Sequence, residues 1–119
     1  MKNTQKYTKC ALAREMMETP RIIKNFKLEG AGQAIKALAE KKKIFFTGEG
    51  SSRIFPAKNA IYSSRRAGLG LDMAAEGARQ AGHYDLTEYV VFGASNSGST
   101  KEVIWLFDRL KKVGHKYNF

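Results

Sequence analysis

The sequence predicts an α/β fold in which a parallel sheet lies between helices in three αβα layers. Short, continuously apolar segments at 44–47 and 89–94 are typical of strands buried on both faces. Each is followed by residues with helical spacing, and strands that alternate with helices form parallel sheets. The length of 119 residues indicates one domain. We assign residues 1–43 to helices that lead into the domain and residues 44–119 to the domain itself.

The residues before the sheet are predicted to be helical. A helix is predicted over residues 10–18, and Thr19-Pro20 indicates the start of a second helix, with threonine as N-cap and proline at the first helical position. Helical spacing resumes after two glycines and ends at lysines 41–43, because the negative end of the helix dipole favours cations.

The residues between the two strong strands are predicted to form a helix, a weak second strand and a short helix. The longer helix is predicted over 53–66, the strand over 69–73 and the short helix over 76–82. A final helix follows the strand at 89–94 and ends at Gly114. The buried side of the helix over 53–66 is assigned to its apolar residues Ile54, Phe55, Ala57, Ala60 and Ile61.

Composition narrows the class of protein. Apolar residues make up 43% of the chain and charged residues 27%, which is typical of a globular domain and not of a disordered chain. The apolar stretches are too short to cross a bilayer, and the polar start lacks the apolar run of a secretory signal. Cys10 is the only cysteine, which excludes an internal disulfide framework and a cysteine-rich zinc site. We expect a cytoplasmic protein.

The charge is strongly positive, with 21 Lys and Arg against 11 Asp and Glu and a formal net charge of +10. This balance predicts attraction to anions, and it leaves nucleic acid, acidic membrane surfaces and phosphorylated metabolites open. An ordinary solvated basic surface is the alternative. Because most aromatic residues are predicted to lie in strands and core helices, we expect no nucleic-acid partner.

Two loops carry the candidate chemistry, and they share one design. Residues 48–52 and 95–100 each follow a buried strand, are rich in glycine and serine, and open a helix. A helix start has unpaired N–H groups and a partial positive charge, and hydroxyls add donors, so each loop suits an anion. Ordinary N-capping is the alternative, but one cap does not explain the four hydroxyls of Ser95, Ser97, Ser99 and Thr100.

The order of the strands decides whether the two loops meet. Ligands of an open parallel sheet bind beyond the carboxyl ends of the strands, where successive connections leave in opposite directions. If the second strand lies on one side of the first and the third strand on the other, this point falls between the two strands that carry the loops. The sequence therefore predicts a phosphate-binding crevice between residues 48–52 and 95–100.

Other motifs for nucleotides and metals are incomplete. Gly48-Glu49-Gly50 lacks the third glycine of a dinucleotide fingerprint, because Arg53 occupies that position, and the chain has no Gly-Lys-Ser/Thr phosphate loop. His83 and His115 have no partner at metal-ligand spacing and are interpreted as surface or loop residues. We expect no cofactor and no metal.

Together, the two loops resemble the sugar isomerase (SIS) domain, a phosphosugar-binding module. Ser95-Asn96-Ser97-Gly98-Ser99-Thr100 is similar to the family's Ser-x-Ser-Gly-x-Thr phosphate loop, and Gly48-Glu49-Gly50-Ser51-Ser52 follows the first strand. Upstream, residues 15–20 resemble the entry helix of the isomerase half of glucosamine-6-phosphate synthase and the related fructosamine deglycases. The resemblance covers residues 10–116 and implies a flavodoxin-like sheet of five parallel strands.

The resemblance implies a role for each loop. Ser95, Ser97 and Thr100 would hold the phosphate, and Ser51 and Ser52 would meet the sugar or the phosphate from the other loop. Asn96 occupies a position that is often glutamine in the family, and Ser99 occupies one that is commonly glutamate. The implied binding residues are Gly50, Ser51, Ser52, Ser95, Asn96, Ser97, Gly98 and Thr100.

The family's sheet is longer than the sheet this sequence predicts. After Gly114 only five residues remain, where a fourth strand would begin, so we expect an incomplete sheet. An apolar third strand with an unpaired edge invites pairing with another chain, so we expect either a piece of a longer protein or a homodimer. Relatives that isomerise sugars carry their acid, base and lysine residues further along, so no catalytic residue is assigned here.

The resemblance implies binding of a sugar phosphate, within an aldose–ketose isomerase, an aminotransferase or a deglycase. The chemistry of such a protein is proton transfer between two carbons of an open-chain sugar phosphate. The alternative is a regulatory module that senses a sugar phosphate without catalysis, although residues 1–43 show no helix-turn-helix. The expected ligand is a sugar phosphate in either case, and no membrane partner is expected.

Overall fold

A computed structural model describes residues 9–119, and the chain divides into two compact units at Gly30. The first unit contains helix α1, Ala11–Lys24. The second unit, Ala31–Phe119, contains helix α2, Gly32–Lys41, and the sheet. Helix α2 therefore falls in the same compact unit as the sheet.

Helix α1 is continuous through the proline that was predicted to begin a new helix. Pro20 lies inside α1, and Cys10 is the residue at its N-cap. The hydroxyl of Thr19 caps no helix and donates a hydrogen bond to the Glu15 carbonyl at 3.0 Å. Proline removes only its own N–H from the helix ladder, so α1 loses one hydrogen bond and continues. The predicted restart at Thr19-Pro20 is wrong.

Three parallel strands form the sheet in the order β2-β1-β3 and confirm the predicted α/β fold. Strand β1 spans Lys43–Gly48, β2 spans Asp72–Glu76 and β3 spans Val90–Ala94. Strand β2 lies three residues later than the strand predicted over 69–73. Its alanines have a weak strand propensity, so pairing with β1 sets its limits rather than its own sequence.

Helices cover the two faces of the sheet. Helix α3, Ser51–Arg66, connects β1 to β2, the short helix α4, Ala78–Ala81, lies between β2 and β3, and α5, Lys101–Lys112, follows β3. Phe45 and Val91 lie in register and pack in one core cluster with residues of α4 and α5. Neighbouring strand residues point to the opposite face, where the sheet contacts α2 and α3.

The buried side of α3 consists mostly of small residues. Ala57 and Ser64 are buried, and Ala60 and Ile61 between them are half-buried, which is one stripe of a helix. Small side chains let the helix lie close to the sheet, so larger ones point outward. Phe55 was predicted to be buried, but it is 73% exposed. That prediction is wrong.

The last residues of the chain extend the sheet beyond β3. Tyr117 accepts a hydrogen bond from the Val91 N–H at 2.8 Å, and the Phe119 N–H donates to the Val91 carbonyl at 2.9 Å. The Gly93 N–H donates to the Phe119 carbonyl at 2.8 Å. This pairing is parallel and lies where the sequence places the start of a fourth strand. The edge of β3 that was expected to be unpaired therefore carries its own chain's backbone.

Candidate functional site

The two glycine- and serine-rich loops leave the sheet side by side. Gly48 at the end of β1 lies in register with Ala94 at the end of β3. The two backbones are so close that a Cβ added to Gly48 would lie 2.6 Å from the Ala94 carbonyl oxygen. Strand β2 lies on one side of β1 and β3 on the other, which meets the condition for a crevice between the two loop-bearing strands. Loops 48–52 and 95–100 therefore begin at the carboxyl end of the sheet, at the point where successive connections leave in opposite directions.

The first loop turns sharply at Gly50 to begin α3. Gly50 has a φ of +53°, and its carbonyl accepts hydrogen bonds from the N–H groups of Arg53 and Ile54 at 3.2 and 3.1 Å. Ser51 is exposed and Ser52 is half-buried. No side-chain hydrogen bond caps this helix start. The two serines are thus placed at an open helix start, but they do not serve as its caps.

Charged residues of the first loop hold neighbouring elements. The Glu49 carboxylate accepts a hydrogen bond from the Ala78 N–H at 3.2 Å, at the start of the short helix α4. Arg53 forms an ion pair with Glu76, at the end of β2, with a separation of 3.5 Å. Neither contact was predicted from the sequence, because both depend on where β2 ends. The first loop is therefore tied to the segment that follows β2.

The second loop is bonded mainly to itself. The Ser95 and Thr100 hydroxyls lie 2.7 Å apart, within hydrogen-bond distance. The Ser97 hydroxyl accepts hydrogen bonds from the N–H and the hydroxyl of Ser99, at 3.2 and 2.9 Å. Thr100 is the N-cap residue of α5, yet its side chain does not cap the helix. Asn96 and Gly98 are exposed. Ordinary capping is thus not the role of these hydroxyls in this structure.

Two buried polar atoms near the end of β1 have no hydrogen-bond partner within residues 9–119. They are the hydroxyl oxygen of Thr47 and the Nε of Arg53. Thr47 is fully buried and directly precedes Gly48. Most buried polar groups in proteins are paired, so two orphans beside one strand end indicate that a water or a polar ligand belongs nearby. The sequence analysis assigned no binding role to either residue.

The electrostatics at this edge are mixed. Helices α3 and α5 direct their positive dipole ends toward it. Lys101 is exposed at the start of α5 and takes part in no ion pair among the described residues. Glu102 lies in the same first turn and supplies an opposing charge. The groups at this end that favour an anion are therefore the helix dipoles and the hydroxyls more than a formal cation.

A cavity of about 530 Å³ lies near the amino end of β3, away from the two loops. Its lining comes from the residues that precede β3, from α5 and from the residues that follow α5, including Leu86, Leu106 and His115. Asp85 also lines it, and hydrogen bonds from the hydroxyl and N–H of Thr87 lower the pKa of its carboxyl. This cavity is separate from the two loops.

The fold defines an α/β protein with hydroxyl-rich loops at the carboxyl ends of two adjacent strands. The chain matches no protein-family model, no curated protein and no solved structure. Across residues 9–119, no helix combines the length and the apolar character that membrane passage requires. In the same part of the chain, His, Cys, Asp and Glu form no cluster of three or more suited to a metal ion.

Proposed function

We propose that this chain binds a sugar phosphate at the two loops, in the manner of an SIS domain. The observation that carries the proposal is the register of Gly48 with Ala94, which brings two hydroxyl-rich helix starts to one edge of the sheet. The strand order changes direction at the same place. Ligands of open parallel sheets bind at such points.

The second loop is the proposed phosphate site. The hydroxyls of Ser95, Ser97 and Thr100 can each donate one hydrogen bond to a ligand. Within the loop, Ser95 and Thr100 share one hydrogen bond, and the Ser97 hydroxyl accepts from Ser99. A phosphate oxygen is a stronger acceptor than a hydroxyl, so the loop can exchange internal bonds for bonds to the ligand. Hydrogen bonds to a charged group contribute about 1.5–3 kcal/mol each, so three of them contribute about 4.5–9 kcal/mol, the range of millimolar to micromolar affinity before association costs.

The first loop is the proposed contact for the sugar. Ser51 and Ser52 stand at an uncapped helix start beside the phosphate loop. Sugar hydroxyls both donate and accept hydrogen bonds, as serine hydroxyls do, so these two residues suit them. We infer that the first loop selects the sugar and the second loop holds its phosphate.

Binding, and not turnover, is the activity proposed for these residues. Hydroxyls and amides position a ligand, whereas proton transfer between sugar carbons needs a general acid or base. Within an isomerase, aminotransferase or deglycase, the loops would anchor the phosphate so that the reacting carbons face groups supplied elsewhere. A sensing module would use the same site. A ligand-induced rise in Tm without conversion of the ligand favours the sensing module.

Thermal unfolding with added ligand tests the proposal. Fructose 6-phosphate and glucosamine 6-phosphate are expected to raise Tm by about 5 °C at ten times their Kd, and inorganic phosphate by less. Ser97→Ala should weaken the binding about tenfold, because one charge-assisted hydrogen bond is lost. Ser63→Ala, an exposed serine far along α3, is the matched control and should bind as the parent does. The absence of any shift with all three ligands rejects the proposal.

A further inference from the structure

The outward face of α3 displays aromatic rings between positive charges. Phe55 is 73% exposed and Tyr62 is 60% exposed. Lys58, Arg65 and Arg66 are exposed on the same helix, and together with Ile61 and Tyr62 they line a shallow groove. Large exposed aromatic residues on a soluble domain indicate a surface that contacts something. We call this set of residues the α3 face.

The charge of the α3 face is not compensated within the described part of the chain. Helix α3 has no acidic residue along its 16 positions. Arg53 is paired with Glu76, but Lys58, Arg65 and Arg66 take part in no ion pair among residues 9–119. Three free cations on one helix attract a polyanion, and the charge of +10 adds to this attraction.

The spacing of these residues favours a chain in which flat rings and negative charges alternate. Residues three and four apart share one side of a helix, so Phe55, Lys58, Tyr62 and Arg65 or Arg66 follow one another as ring, cation, ring, cation. At a rise of about 1.5 Å per residue, the two rings are about 10 Å apart along the axis. A single nucleic-acid strand alternates bases, which stack on aromatic rings, with phosphates, which pair with cations.

We propose that the α3 face binds single-stranded nucleic acid. The sequence argued against such a partner because most aromatic residues were predicted to lie in strands and core helices, and Phe55 was assigned to the buried side of its helix. For Phe55 the structure removes that reason, since its ring is exposed beside free cations. An acidic protein would also pair with the cations, but its binding does not require two exposed aromatic rings at separate positions. The proposal does not depend on the sugar-phosphate site.

Fluorescence anisotropy with labelled oligouridylate and oligothymidylate of about 12 nucleotides tests the proposal. Each phosphate neutralised on a single strand contributes about −0.7 to the slope of log K against log salt, so three cations predict a slope of about −2 between 50 and 200 mM salt. Arg65→Ala/Arg66→Ala should reduce the slope to about −0.7. Lys111→Ala/Lys112→Ala removes the same charge from the last turn of α5 and should leave the slope unchanged.

Substitutions of the exposed ring separate stacking from general apolar contact. Phe55→Leu keeps an apolar side chain but loses the ring face, and it should weaken binding at least about fivefold. Phe55→Tyr keeps the ring and should bind as the parent does. Because Phe55 is exposed, neither change should unfold the chain, and circular dichroism checks this.

Several results would overturn the proposal. The first is no binding at 50 mM salt. The second is an equal reduction of the salt slope in the α3 and α5 double variants, and the third is unchanged affinity in Phe55→Leu. Equal affinity for poly-glutamate would assign the face to an acidic protein partner. A dimer in light scattering that Phe55→Leu converts to monomers would assign it to a second copy of the chain.

Discussion

The two ends of the sheet use their polar side chains differently. At the amino end, side chains of different elements bond to one another: Tyr89 donates to Asp72 at 3.2 Å, and Tyr117 donates to Glu40 at 3.1 Å. At the carboxyl end, the hydroxyls of residues 95–100 bond only within their own loop. Polar groups at the amino end thus hold the fold together. The hydroxyls at the carboxyl end can change partners without loosening any element.

This difference separates stability from binding. Substitutions at the amino end should cost unfolding free energy, whereas substitutions of the loop hydroxyls should cost affinity for a ligand. The exceptions at the carboxyl end are the contacts of Glu49 and Arg53 with the segment after β2 and the backbone itself, because Gly48 and Ala94 are in close contact. Substitutions of Gly48, His115 and Tyr117 test this division.

The largest effect is expected where the two loops begin. Gly48 has a φ of +153°, and an added Cβ would collide with the Ala94 carbonyl, which is backbone and cannot easily move. We expect Gly48→Ala to lower the free energy of unfolding by about 3 kcal/mol. Gly98→Ala is the matched control in the second loop: its φ is +68°, but its surroundings are open, so about 1 kcal/mol is expected. Equal costs in urea unfolding would show that the loops do not touch.

A smaller effect is expected from His115 at the amino end. Its Nε2 lies 3.1 Å from the carbonyl oxygens of Leu86 and Tyr89, and since carbonyls only accept, this nitrogen must carry the hydrogen. We expect His115→Ala to cost about 1–2 kcal/mol of unfolding free energy. His83→Ala, on an exposed histidine, should cost less than about 0.5 kcal/mol. If both variants unfold alike in urea, the amino end is not held by this contact.

The smallest effect is expected from Tyr117 and depends on pH. The hydrogen bond to Glu40 is the main cause that raises the pKa of Tyr117, and burial adds to it. The neutral phenol is the donor, so its contribution to stability is complete below the ordinary tyrosine pKa of about 10. The contribution is lost as pH rises through the raised pKa.

The comparison of the parent chain with Tyr117→Phe checks this dependence. The difference in unfolding free energy should be present at neutral pH and should disappear in strong alkali. Tyr62→Phe is the control, because the Tyr62 hydroxyl has no hydrogen-bond partner within residues 9–119. A difference for Tyr117→Phe that stays constant across this range would contradict the role of the hydrogen bond.

Local patterns predicted much of the fold. The continuous apolar runs around Phe45 and Val91 identified both strong strands, because a strand buried on both faces needs no alternation. Strand β2 was misplaced, since Ala74 and Ala75 carry no strand signal of their own. Phe55 was misplaced because a short apolar cluster on a helix does not show which of its sides packs closely.

The candidate site was only partly visible in the sequence. The hydroxyl-rich loops were predicted from residue types and their positions after each strand, whereas the order of the strands was only a condition that the structure supplies. The contacts of Glu49 with Ala78 and of Arg53 with Glu76 were not predicted. Each joins two segments that are far apart in the sequence and become neighbours only when the chain folds. The unpartnered Thr47 hydroxyl was not predicted either, because Thr47 was assigned only to an apolar strand.

Because the backbones of Gly48 and Ala94 are in contact, the spacing of the two loops depends on the backbone, whereas the choice of ligand depends on the loop side chains. Peptide groups alone fix the distance between the two helix starts, since no side chain lies between the strand ends. Exchanging a serine for another polar residue would alter which molecule is recognised while the spacing stays the same. Such a framework leaves ligand preference open to change by single substitutions.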